Sequence, residues 1–369
     1  MHGSVHQATF NGGSPAVTIP AGAQVYSDPV EMPVAPLQNL AISIYLPNAT
    51  GPATYHPGAE QVNYVSSGNR TNDTSAQAYS TTSPSWYWLD GVHVEASRRV
   101  PAVVTLGDSI TDGFGSTINA NNRWPNYLAR MVVAHTPGNR NDEVAILNEG
   151  ISGDRVLNTS PCFGVGTLAR LNRDVLAQDG VRQVILLDGT NDIGFSQASP
   201  TNLYPGVPFD CFRPNTDVSA RDITNGYQQI ISQAHLKGLQ IFGGTLAPFK
   251  GAFYWSPAAE AKRQAVNRWI RTSGAFDGVI DFDEALSDPA HPQQLLPKYD
   301  SGDHLHPNDA GYEAMAQAAF CRLSGTWGLS LARETGRWPN SGGGCPGGEN
   351  SDGSDGESRQ RGAAKADER

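Results

Sequence analysis

The sequence predicts an α/β protein built on a five-stranded parallel sheet with helices on both faces. Three observations carry that expectation. Short apolar runs alternate with amphipathic stretches between residues 100 and 325. The runs are continuous rather than alternating, as strands covered on both faces are. Each ends in a polar or glycine-bearing turn of the kind that closes a strand.

The predicted strands are 101–107 (PAVVTLG), 144–148 (VAILN), 182–188 (RQVILLD), 238–245 (GLQIFGGT) and 277–282 (DGVIDF). Helical stretches at 122–135, 166–178, 224–238 and 256–274 separate them, and a last one lies within 306–323. This catalytic-domain candidate spans 99–325. Residues 1–98 form a smaller β-rich region, read as an antiparallel sheet or partial sandwich packed on the main domain. Its segments 15–32 and 37–58 alternate β-rich runs with Pro, Gly, Asn and Asp, and LAISIYL (40–46) is the best strand. SWYWLDGVHVEAS (85–97) adds one more. Within it, Trp86, Tyr87 and Trp88 suit packing better than a sugar-stacking platform. Residues 326–369, rich in Gly, Ser and charge, are expected to be a disordered tail.

The chain has 369 residues, 38% hydrophobic and 17% charged, with 40 Gly and 25 Pro, which describes a globular, loop-rich protein. No apolar run approaches the roughly 18 residues a membrane helix needs. A net charge of −10 argues against nucleic acid or anionic lipid as partner. The N-terminus lacks the basic start and apolar stretch of a signal peptide, so either export is absent or the chain is a mature, truncated or recloned form. Cys162, Cys211, Cys321 and Cys345 match no CxxC zinc spacing. Three disulfide pairings are open to them. Cys162–Cys211 is preferred because both lie in predicted loops flanking one strand and its helix, and buried free thiols are the alternative.

Chemistry concentrates where the strands end. Ser109 follows the first strand in Gly107-Asp108-Ser109, and Gly150 and Gly153 follow the second. Asn191 follows the third, and Asp303 and His306 precede the last helix. A serine hydroxyl becomes a nucleophile when a base takes its proton and a third group orients that base. His306 is the candidate base and Asp303 the orienting carboxylate. Backbone N–H groups of Ser109 and Gly153 with the Asn191 amide are the candidate donors to the developing oxyanion. Asp108 is read as a turn-forming residue and Asp192 as the cap of the helix that follows it. His304 is expected to face solvent or line the cleft rather than share a metal with Asp303, and Asp188 is a less favoured partner for His306.

The blocks GDSITDGFG, GISGDRV, GTNDIG and DHLHPND, in this order, resemble the four sequence blocks of the SGNH, or GDSL-type, serine hydrolase superfamily. The resemblance covers about 200 residues and does not reach 1–98 or the tail. It implies a flavodoxin-like three-layer α/β/α fold and ester hydrolysis through an acyl-enzyme without a cofactor. It also favours Gly153 over Gly150 as the oxyanion glycine and, with the even cysteine count, secretion. The substrate is expected to be a small-molecule or glycan ester. A small-ester carboxylesterase or lipase is favoured, a carbohydrate acetylesterase is the alternative, and a non-catalytic glycan-binding protein is a third. Oligomeric state is left open.

Overall fold

A computed structural model describes residues 5–96, 98–136 and 143–327. The expected tail from 328 onward lies outside the described residues. Five parallel strands form the central sheet: β1 (Ala102–Gly107), β2 (Ala145–Gly150), β3 (Val181–Leu187), β4 (Gln240–Gly244) and β5 (Gly278–Ile280). They lie in the order β2-β1-β3-β4-β5. All of β1 and all but Arg182 of β3 are buried, which is why both read as mostly apolar runs without strand alternation.

Eight helices are described: α1 (Ser109–Asp112), α2 (Trp124–His135), α3 (Thr167–Leu171), α4 (Thr190–Gly194), α5 (Ala220–Leu236), α6 (Pro257–Thr272), α7 (Phe282–Leu286) and α8 (Asp309–Leu323). One layer packs α2 on α8 and β2, and the other packs α5 on α6, α3 and β4. This is the expected three-layer α/β/α arrangement. The helix starts are written in the sequence. Ser219 and Asp222 form a capping box on α5, and Ser256 followed by Pro257 opens α6. Residues 166–178 depart from the expected single helix, because α3 widens into a π-helical turn over Asn172–Leu176. The chain leaves β1 toward β2 on one side, and β3 begins on the other. A crevice therefore opens at the carboxyl ends of β1 and β3, where ligands sit in doubly wound sheets.

The N-terminal region has less strand than expected. Two short antiparallel ladders pair Tyr55–His56 with Trp86–Tyr87 and Asn63–Val65 with Thr81–Ser83. Residues 40–46 form no strand, and neither do residues 15–32. Ile42 and Ile44 are 47% and 49% exposed. Alternation in LAISIYL supplies an apolar face, but no described strand lies beside it to take up its backbone hydrogen bonds. The described residues 85–96 contribute the two-residue strand Trp86–Tyr87. There Trp86 packs its ring on His56, Tyr87 stacks on Tyr55, and Trp88 leans on Tyr87.

Candidate active site

Gly107 ends β1 so close to β3 that a Cβ there would sit 2.2 Å from the Leu187 carbonyl oxygen. Asp108 then caps α1, its carboxylate accepting the Ile110 N–H at 3.0 Å. Ser109 is the first residue of this one-turn helix, so its own N–H has no intrahelical acceptor. Its Oγ lies 2.8 Å from His306 Nε2.

His306 Nδ1 lies 2.6 Å from Asp303 Oδ2. The other oxygen of Asp303 accepts the backbone N–H groups of His306 and Leu305 at 2.9 and 3.0 Å and the Ser301 hydroxyl at 3.2 Å. The three-residue spacing thus closes a tight turn around one carboxylate. Burial opposes the Asp303 charge, yet the His306 hydrogen bond and charge, with these N–H donors, hold its carboxyl well below the usual range. Phe114 packs on the imidazole with ring centroids 4.6 Å apart. His304 turns away to Asp300 Oδ2 at 2.6 Å and is the exposed histidine of the pair. Asp188 bonds Thr167 and the Gly189 N–H, not His306.

The two glycines after β2 separate clearly. The Gly150 N–H donates to Asn148 Oδ1 at 2.9 Å, and a Cβ on Gly150 would lie 2.1 Å from the Asp112 nitrogen. Gly150 therefore serves the packing of β2 on α1. Gly153 holds φ +80°, and a Cβ there would be 2.3 Å from the Phe163 ring, so conformation and space both call for glycine. Asn191, second in α4, donates Nδ2 to the Asp154 carbonyl at 2.9 Å and accepts from the Tyr254 hydroxyl at 3.2 Å. An amide nitrogen carries two hydrogens, so this fixes Asn191 and leaves one donor. Asp192 does not cap α4, contrary to expectation. It accepts the Val156 and Leu157 N–H groups at 2.7 and 3.1 Å, because the chain after Gly153 brings those orphan donors to it. Cys162 and Cys211 are disulfide-bonded, joining the Phe163 segment to the loop after α4.

Residues 105–314 match the model of the GDSL-like Lipase/Acylhydrolase family. The chain belongs to this family. It is accordingly an ester hydrolase. Similar solved structures include an acetylxylan esterase from Geobacillus stearothermophilus, 19% identical, covering 62% of this chain and 98% of that one with a TM-score of 0.44. A GDSL-like lipase from Bacteroides thetaiotaomicron is 17% identical over 61% of this chain and 88% of that one, TM-score 0.41. An α/β hydrolase from the metagenome of Lake Arreo, Spain, is 18% identical over 62% and 95%, TM-score 0.44. No curated protein matches the chain.

Beneath the turn that carries Ser109, this GDSL-family chain buries four carboxylates: Asp108, Asp154, Asp188 and Asp192. Burial raises all four, helped at Asp108, Asp188 and Asp192 by repulsion from neighbouring carboxylates, and takes Asp108 and Asp192 to about 7. Arg170 anchors the cluster. It pairs with Asp154 and Asp174 and donates to the Gly107 and Glu149 carbonyls at 3.0 and 2.8 Å, tying the ends of β1 and β2 together. Sequence reasoning passed over Arg170, since an arginine in an amphipathic helix reads as solvent-facing. Tyr204 was missed too. Its hydroxyl donates to Asp303 Oδ2 at 3.3 Å and its ring packs against Phe114 and Phe253. It sits in a Pro- and Gly-punctuated loop without periodicity, and no signal marked it.

Glu60 is another buried acid, lying where residues 56–60 meet α1. Burial and the charge of Asp112 push it up to about 7, with Arg123 and His56 pulling the other way. A raised carboxyl contributes its stability fully while protonated, below the ordinary glutamate range, and loses it as pH rises through about 7. Glu60→Gln therefore raises the melting temperature by a few degrees at about pH 8 and by much less at about pH 5, which paired melting curves check.

Proposed function

We propose that this protein is a serine esterase that cleaves small, short-acyl carboxylic esters through an acyl-enzyme. The observation that carries the reading is the unbroken chain from Ser109 Oγ through both nitrogens of His306 to Asp303, at 2.8 and 2.6 Å. Ser109 Oγ attacks the ester carbonyl while His306 Nε2 takes its proton. Asp303 holds the imidazole in orientation and balances the imidazolium. The oxyanion meets the N–H groups of Ser109 and Gly153 and the remaining Nδ2 hydrogen of Asn191. His306 then returns the proton to the leaving alcohol. Water, activated by the same nitrogen, releases the acid and restores Ser109.

The preference for short acyl groups rests on the rings around the nucleophile. Phe114 packs on His306, Tyr204 packs edge-on against both, and Phe253 backs Tyr204. A wall of mutually packed rings moves little, so long chains gain no room. The Cys162–Cys211 bond supports an oxidising, extracytoplasmic setting.

The p-nitrophenyl acetate, butyrate and octanoate series tests the reading. kcat/KM is expected to fall by about tenfold or more from acetate to octanoate, within what pocket contacts on added methylenes supply. A rise with chain length contradicts a short-acyl site. Activity confined to acetylated oligosaccharides assigns the carbohydrate acetylesterase instead.

A further inference from the structure

His56 belongs to the N-terminal region, yet its imidazole reaches the catalytic turn. Nε2 lies 2.9 Å from Asp112 Oδ1, and the Asp112 side chain is 3% exposed. The other oxygen, Asp112 Oδ2, accepts the Ser152 hydroxyl at 2.7 Å. These three residues occupy telling positions. Asp112 closes the single turn that Ser109 opens, and Ser152 immediately precedes Gly153. We propose that His56, Asp112 and Ser152 form a clamp that sets the Gly153 N–H against the Ser109 N–H, so that the N-terminal region positions the oxyanion donors. The inference rests on the serine-esterase reading above and adds residues that touch no substrate.

The physical case is one of preorganisation. Two backbone donors on separate segments stabilise an oxyanion only while their spacing is held, and a shift of about 1 Å costs up to roughly 100-fold in rate. α1 is a single turn and Gly153 lies in a separate turn after β2, so the spacing of their N–H groups is set by the contacts between the two segments. The Asp112–Ser152 hydrogen bond joins them directly. Asp112 is in turn held from three sides. His56 Nε2 lies 2.9 Å from its carboxylate, Arg123 Nε donates to its carbonyl at 2.8 Å, and its N–H bonds the Asp108 carbonyl at 2.9 Å. His56 is itself fixed by the ladder pairing it with Trp86, whose ring lies 4.7 Å away, and Arg123 also donates to the Ala59 carbonyl. With each of its oxygens in contact with a polar partner, the buried Asp112 carboxylate keeps one orientation, and removing His56 takes one of those partners away.

The test uses the full chain with p-nitrophenyl acetate and compares His56→Ala, His56→Gln and Ser152→Ala with wild type and Ser109→Ala. His56→Ala and Ser152→Ala are expected to lower kcat by about 10- to 100-fold with KM within about twofold. Affinity for a trifluoromethyl ketone, which presents an oxyanion to the same donors, falls by the same factor. His56→Gln, whose amide nitrogen sits where Nε2 does, restores most of the loss. Folded Ser152→Ala and His56→Ala enzymes with wild-type kcat, or with the whole loss in KM, overturn the clamp. Where His56→Ala does not fold, Ser152→Ala decides alone. Ser109→Ala separates the two readings. If it is inactive while Ser152→Ala is normal, only the clamp fails; if it turns over normally, the serine reading beneath it fails.

Discussion

Ser109→Ala lowers kcat on p-nitrophenyl acetate by roughly 10⁵-fold, with the melting temperature held within a few degrees. Magnitude and selectivity follow from the same geometry. Ser109 Oγ bonds His306 Nε2, so in the proposed mechanism removing it deletes the nucleophile and leaves the base with nothing to deprotonate. Little else depends on that hydroxyl: α1 is capped by Asp108 and ended by Gly113, and the turn is pinned below by Arg170 on the Gly107 carbonyl. Parallel turnover and circular-dichroism measurements check both halves. Activity within about tenfold of wild type would place the nucleophile elsewhere, since a lost triad serine never costs so little.

Asn191→Ala is expected to reduce kcat by about 10²- to 10³-fold while KM scarcely moves, because in the proposed reaction the amide bonds an oxygen that becomes charged only in the transition state. The Tyr254 hydroxyl and the Asp154 carbonyl orient the amide before substrate arrives, so no reorganisation is needed during the reaction. Asn191→Asp keeps the shape and puts an acceptor where the donor was, and its kcat should be lower still. Steady-state kinetics of both variants decide the point. A loss confined to KM would make Asn191 a substrate-binding residue.

Much of the sheet is legible in the sequence for one physical reason. Strands covered on both faces are predominantly apolar along their whole length, and 101–107 and 182–188 announce this without an alignment. Their structural counterparts start and end within a residue or so of the expected limits. Ser109, His306 and Asp303 were also legible, because each lies beside a turn at the carboxyl edge of the sheet. The residues that support them were not. Arg170, Tyr204 and Tyr254 reach the site from α3 and from loops, by contacts across 63, 99 and 63 residues, and local pattern carries no trace of such distances. Asp192 shows the same limit from another side. A carboxylate early in a helix usually caps it, but here two orphan N–H groups of another segment competed for it and won. Residues 40–46 failed as a strand because alternation supplies a face, whereas a strand also needs a neighbour.

His56 extends that lesson to function. On sequence alone it is one histidine among nine, within a region matched by no catalytic block. In the fold it touches the helix that begins with Ser109.

Trapping the acyl-enzyme tests the central claim most directly. Intact-mass spectrometry after brief incubation with p-nitrophenyl butyrate, or with a fluorophosphonate ester, followed by peptide mapping, locates the covalent group. The account predicts one acyl or phosphonyl group per chain, on the peptide bearing Ser109, and no adduct with Ser109→Ala. An adduct on another residue, or ester turnover with labelling unchanged in Ser109→Ala, would contradict it.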